Sequence, residues 1–312
     1  MSFIQNTGKA PKADSVCFIT MVLSEAEIRH AAWMVASLRR FGGQLSACQV
    51  WIFAPRLKMV GSNFYDFDQL HCIPMVLPEQ DPQYDFGQKV AACAQAERLC
   101  GPSIDSLVWL NPECLVFQPP DLFSLSTPTR AAFRPVHIRN VGSALFEPLD
   151  AYWTRIYEAV GIAEVPLKVE SFIDAQILRP YFNTHLFAVA PRLGLMRCWL
   201  EKFEELVKDR HFQKTACKDR LHQIFLHQAV LSTLVVSQLE PEQIRILPAG
   251  YSYPLHLHER VPPSRRVRSL EDTICAVYED DDSLPGRVAG LEIGMGLREW
   301  FDITARELGS IN

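Results

Sequence analysis

Asn111 and Glu113 stand two residues apart where an apolar run, Ser106 to Leu110, meets Pro112 and then a second apolar run. In a locally extended backbone, positions i and i+2 project the same way, so the pair presents an amide beside a carboxylate. Asn and Pro are also turn formers, and a plain turn accounts for the same tripeptide. His256 and His258 repeat the spacing. On a strand they would share a face, either as metal ligands or as hydrogen-bonded surface groups. With a nearby carboxylate they would suit a metal-dependent hydrolase. Arg260, Arg265, Arg266 and Arg268 follow these histidines, and Lys89 lies on a helical stretch. Forked guanidinium groups suit a diphosphate, though a solvated basic loop has the same composition. Gln228 falls on the apolar stripe of its helix, where an unpaired amide is costly, so it needs a partner in a cleft or in the core.

The elements that must position these groups alternate. Val16 to Val22 reads as a strand buried on both faces. A helix follows, with Ser24 and Glu27 at capping-box spacing, a stripe of Ile28, Ala31, Ala32, Val35 and Leu38, and Gly42 at the C′ position. Gln49 to Ala54, Cys72 to Leu77 and Asp105 to Leu110 read as strands, and Phe86 to Cys100 as a helix. That order implies βαβ units and a central mixed, mainly parallel sheet flanked by helices, an α/β fold. Ala131 to Val136, Tyr181 to Ala190, Ile244 to Leu247 and Ile274 to Tyr278 add strands. Helices are expected around Leu149 to Val160, at Leu193 to Lys208 (stripe Met196, Trp199, Leu200, Phe203) and at Asp219 to Val236 (stripe Leu221, Ile224, Phe225, Leu231, Val235). Leu291 to Leu308 is the terminal helix. The Pro-rich points are short, so one elaborated domain is favoured over two. It spans 15–312 after a polar tail at 1–14, and ligand sites in such open sheets lie at strand carboxyl ends.

Composition narrows the function classes. With 31 Lys+Arg against 36 Asp+Glu the net charge is −5, which lacks the positive field of a non-specific nucleic-acid or anionic-membrane binder. Nine scattered cysteines without a C-x-x-C, and no signal-like or membrane-length apolar segment, point to a reduced, cytoplasmic chain. Neither G-x-x-x-x-G-K-[ST] nor G-x-G-x-x-G occurs, and Gly290, Gly294 and Gly296 fall in the terminal helix region. G-x-S-x-G, H-E-x-x-H and the kinase set are missing as well. The run Glu279 to Asp282 reads as a solvated acidic turn.

Five segments, in order, resemble the GT-A fold of nucleotide-sugar glycosyltransferases, in particular the glycogenin-like and galactosyltransferase-like branch. They are ITMVLSEAEIRHAAWMVASLRRFGG near the start; Phe86-Gly87-Gln88-Lys89 with Ala91 and Ala92; Tyr181-Phe182-Asn183-Thr184-His185-Leu186-Phe187; His227-Gln228; and Leu247-Pro248 through Tyr253-Pro254-Leu255-His256. The tract from Ser106 to Phe123 matches the strand bearing the family's D-x-D. The resemblance covers about residues 15–260, with a nucleotide-binding half to about 120, an acceptor and metal half to about 260, and a C-terminal extension.

That resemblance implies hexose transfer from a UDP-type or similar donor to a hydroxyl acceptor. The diphosphate would be neutralised by Mn²⁺ or Mg²⁺ on Glu113 and on His256, which matches the family's late metal-binding histidine, with Asn111 at the place of the first acid. Beside the resemblance, the residues themselves offer His258 as a further ligand and Lys89, Arg260 and Arg265 around the nucleotide. Asn183 and Gln228 would line the reacting end, and Asp174 is the one candidate base. Four positions depart from the pattern. Asn111 and Glu113 replace D-x-D, His185 replaces a glycine, and His227 replaces an Asp. His185 and His227 are therefore further ligands or packed polar groups. A degenerate motif also leaves a second reading, a GT-A-like binding or scaffold protein without activity, beside the third, the hydrolase built on His256 and His258.

Overall fold

The computed structural model describes residues 13–57, 67–76, 84, 86–165, 167–279, 288 and 290–309. Twelve strands are described: β1 Val16–Met21, β2 Gln49–Ala54, β3 Leu70–Pro74, β4 Ser106–Leu110, β5 Cys114–Val116, β6 Ala131–Pro135, β7 Val169–Glu170, β8 Ile177–Leu178, β9 Phe182–Val189, β10 Ile244–Ile246, β11 Tyr253–Pro254 and β12 Cys275–Val277. The helices are α1 Glu25–Phe41, α2 Gly87–Leu99, α3 Ala151–Val160, α4 Leu195–Lys208, α5 Arg210–Thr215, α6 Arg220–Gln238 and α7 Met295–Gly309. Seven strands form the central sheet in the order β10-β6-β9-β4-β1-β2-β3. All neighbours are parallel except β9, which runs antiparallel to both β4 and β6.

The strand composition explains the layering. In β1, Cys17, Ile19 and Met21 join one core, while Val16 and Phe18 join the other, so each face of the strand is covered. The same alternation splits Leu107 and Trp109 from Val108 and Leu110 in β4. Helices α2, α4 and α6 pack on the first face and α1 on the second. All five stripe residues of α1 are buried. Ser24 caps it by accepting from the Glu27 amide at 3.2 Å. Glu27 reaches back to the Leu23 amide, one residue beyond the capping-box partner. Gly42 is not the left-handed residue expected at C′; it has φ −69°, and the turn is made at Gly43 with φ +58°.

In α6 the periodicity is misleading. Leu221, expected in the buried stripe, is exposed, whereas every residue from Leu226 to Val236 is buried. The second half of this helix is covered all round by β9, α3 and α4 and so carries no amphipathic signal. The C-terminal extension is built into the fold. β12 pairs with β5 and β11 in a three-stranded sheet, and Trp300 and Phe301 of α7 pack on Trp33 and Phe41 of α1. The expected strand at Cys72 to Leu77 is Leu70–Pro74, and position 77 lies outside the described residues.

Candidate active site

Because β9 runs against its neighbours, its first residues reach the same sheet edge as the carboxyl ends of β4 and β6. A cavity of about 470 Å³ opens at that edge, within the range of small-molecule sites. Asn111 and Glu113 enter it from beyond β4, His137 from beyond β6, and Asn183, Thr184 and His185 from β9. Phe86 and Lys89 come from the start of α2, and His227 and Gln228 from α6. His256, from a 3-10 helix at Leu255–Arg260, and Glu279, just beyond β12, close the far wall.

Lys89 sits at the base, only 2% exposed. Its Nζ donates to Asn111 Oδ1 at 2.9 Å and to the Thr184 carbonyl at 2.6 Å, and faces the Trp109 ring at 5.2 Å and the Phe86 ring at 5.6 Å. Burial pushes the ammonium down to about 8. Asn111 Oδ1 also accepts from Trp109 Nε1 at 2.8 Å. Glu113 lies 3.9 Å from His30 Nδ1. On the opposite wall Glu279 Oε1 is 3.3 Å from both His185 Nε2 and His256 Nε2. The His185 hydrogen bond holds the Glu279 carboxyl below its ordinary range.

His227 is a packed neutral imidazole. Its Nδ1 donates to the Ile224 carbonyl at 2.8 Å, leaving Nε2 to accept from the Thr184 hydroxyl at 3.0 Å. Burial holds it well below the usual histidine range. Gln228, also buried, lies beside the same Thr184 hydroxyl. Asn183 accepts from the His185 amide through Oδ1 at 2.7 Å. His137 is held by the Ser252 carbonyl at 2.8 Å, with its ring stacked on His185 at 5.9 Å.

Several expected site residues stand elsewhere. His256 and His258 do not share a strand face, because β11 ends at Pro254 and a 3-10 helix follows. His256 enters the cavity, while His258 is buried with Nδ1 2.9 Å from the Tyr253 hydroxyl. The hydrolase built on that pair loses its geometry. Arg265 donates to the Phe172 carbonyl at 2.9 Å and to Glu170. Arg266 binds the carbonyls of Glu259 at 2.6 Å and Val261 at 2.8 Å. Arg260 and Arg268 are exposed and outside the cavity lining. Asp174 serves a turn, accepting from the Arg139 amide at 3.0 Å and from the Ser171 hydroxyl, and does not line the cavity.

The expected Mn²⁺ or Mg²⁺ loses one of its three ligands, since Glu113 and His256 line the cavity and His258 does not. Asn111 Oδ1 already accepts two hydrogen bonds, one of them from an ammonium that would repel a metal. Among the described residues no group of three His, Cys, Asp or Glu side chains is arranged to hold one.

His137 and Glu279 escape the sequence reading. His137 is a single histidine after a strand, and Glu279 opens an acidic run that reads as solvated; its remaining residues, 280–282, lie outside the described residues. The usable signal was position, since each stands two residues past the end of a strand, β6 or β12.

Comparison with curated proteins gives no match. The model of the Rhodobacterales glycosyltransferase domain matches residues 19–240, which run from β1 through α6 and supply most of the cavity wall. Over that length, more than two thirds of the sequence, the chain belongs to the Rhodobacterales glycosyltransferase domain family.

Proposed function

We propose that the chain transfers a hexose from a nucleotide-diphosphate sugar, UDP-type or similar, to a hydroxyl acceptor. In this reading the domain is GT-A-like, and the donor lies across the carboxyl ends of β1 and β4. The observation that carries it is the position of Lys89 and Asn111 at the base of a cavity on that edge, within a chain of a glycosyltransferase family. The diphosphate would lie against Lys89. The hexose would extend toward Asn183, Gln228 and the His185, His256 and Glu279 wall. A hydroxyl acceptor needs a base within hydrogen-bond reach, and Glu113 and Glu279 are the carboxylates among the lining residues.

The binding-protein alternative draws on the neutral Asn111, which brings no charge to the position of an acid. Donor turnover separates the two. Incubation with a panel of UDP-, GDP- and dTDP-hexoses, with release of the nucleoside diphosphate as readout, should give one donor that turns over. Binding of a nucleotide with no turnover of any donor, across acceptor panels, would favour the scaffold reading.

The nine cysteines are all free, and their retention as thiols suits a reducing, cytoplasmic setting. Among the described residues no helix is long and apolar enough to cross a membrane.

A further inference from the structure

We infer that the cavity holds its anionic ligand without a divalent cation, with Lys89 as the counter-charge and the amide nitrogen of Asn111 as a hydrogen-bond donor to the anion. The identity of that anion, a diphosphate, rests on the donor reading above; the existence of an anion site does not.

The polarity of Asn111 follows from its neighbours. A lysine ammonium and an indole N–H can only donate, and both point at the same side-chain atom, at 2.9 and 2.8 Å. That atom is therefore the amide oxygen, and the usual ambiguity between oxygen and nitrogen is removed. The Nδ2 group makes no hydrogen bond among the described residues. Since Asn111 lines the cavity, the group it offers a ligand is N–H. An acid here would attract a metal, whereas this amide attracts an oxygen.

Charge points the same way. Lys89 is buried, yet among the described residues no carboxylate oxygen lies within 4.0 Å of its Nζ. A buried ammonium without a counter-charge is strongly unfavourable unless a partner completes it. Of the two carboxylates of the wall, Glu113 acts on Lys89 only from a distance, more weakly than burial, and lies 3.9 Å from His30 Nδ1, while Glu279 faces His185 and His256. Two of the three ammonium protons are used by Asn111 and Thr184. The cavity thus presents one fixed positive charge and a neighbouring N–H donor, with a phosphate oxyanion as the complementary chemistry.

Titration calorimetry of the full chain with pyrophosphate, at pH 7 in EDTA, tests this. Wild type should bind. Lys89→Met should weaken binding by about tenfold or more, through loss of a charge-assisted hydrogen bond. Asn111→Leu, which keeps the ammonium, should weaken it by about threefold, the worth of a neutral hydrogen bond. Circular dichroism checks folding, and Asn111→Leu carries the test if Lys89→Met does not fold. Binding that requires Mn²⁺, equal affinity in wild type and both variants, or no binding at millimolar pyrophosphate overturns the inference. Pyrophosphate bound through Lys89 with no turnover of any nucleotide sugar defeats the donor reading alone. Mn²⁺-dependent turnover with no pyrophosphate binding in EDTA defeats the anion site alone.

Discussion

Lys89→Met should reveal what the buried charge costs the fold. The ammonium titrates at about 8 in place of 10.5, a gap of about 2.5, because burial disfavours the charged form. At about 1.4 kcal/mol per pH unit, the folded state carries a penalty of about 3 kcal/mol at pH 7. Methionine removes that penalty but also two hydrogen bonds, leaving the Thr184 carbonyl without its donor, which returns about 1–3 kcal/mol. The variant should therefore be as stable as wild type at pH 7 or more stable by up to about 2 kcal/mol.

The sign of the pH dependence is fixed by linkage. Between pH 8 and 10.5 the unfolded chain holds the Lys89 proton and the folded chain does not, so wild type gains stability as pH rises. Cys93, Cys114 and Glu113, in that order, oppose the shift more weakly than burial drives it. Urea denaturation of both proteins at pH 7 and pH 10 reads the difference. Wild type should gain about 2–3 kcal/mol relative to Lys89→Met over that interval. A pH-independent difference, or a loss above about 3 kcal/mol in Lys89→Met at pH 7, would refute an uncompensated charge.

Other sites test other parts of the structure. Gly43→Ala places a Cβ 2.8 Å from Pro119 Cγ at a residue with φ +58°, and should lower stability by about 1–3 kcal/mol in urea. Glu97→Gln removes the buried carboxylate that accepts from the Met196 and Arg197 amides, at 3.1 Å each, at the start of α4, where Gly194 supplies no side-chain cap. It should cost about 2–3 kcal/mol by the same measurement. Glu279→Gln should matter little to stability, at most about 1 kcal/mol, because the carboxylate is half exposed. Whatever it contributes is present above its unfolded value near 4.5 and is lost as pH falls through the lower folded value, so wild type and variant should converge in acid.

The sheet was legible because its strands are short apolar runs buried on both faces, and Val16 to Met21 or Ser106 to Leu110 have no other stable place. That Lys89, Asn111 and Glu113 meet at one sheet edge was legible from their places in the strand and helix order. The sense of Asn111 was not, since its amide orientation depends on Trp109 and on a lysine 22 residues away. His256 and His258 misled because i, i+2 spacing means a shared face only while the backbone stays extended, and the chain turns into a 3-10 helix after Pro254. The arginines misled because guanidinium forks bind backbone carbonyls as readily as phosphates, and Arg265 and Arg266 do so. Glu279 was hidden by composition: an acidic run reads as solvated, and two imidazoles distant in sequence draw its first member into the wall.

A crystal structure of the chain grown with UDP in EDTA decides whether this cavity is the donor site. The diphosphate is expected within hydrogen-bond distance of Lys89 Nζ and Asn111 Nδ2, with Glu113 still facing His30. A nucleotide bound elsewhere, or one that enters only with a metal bridging it to Glu113 and His256, would contradict that assignment.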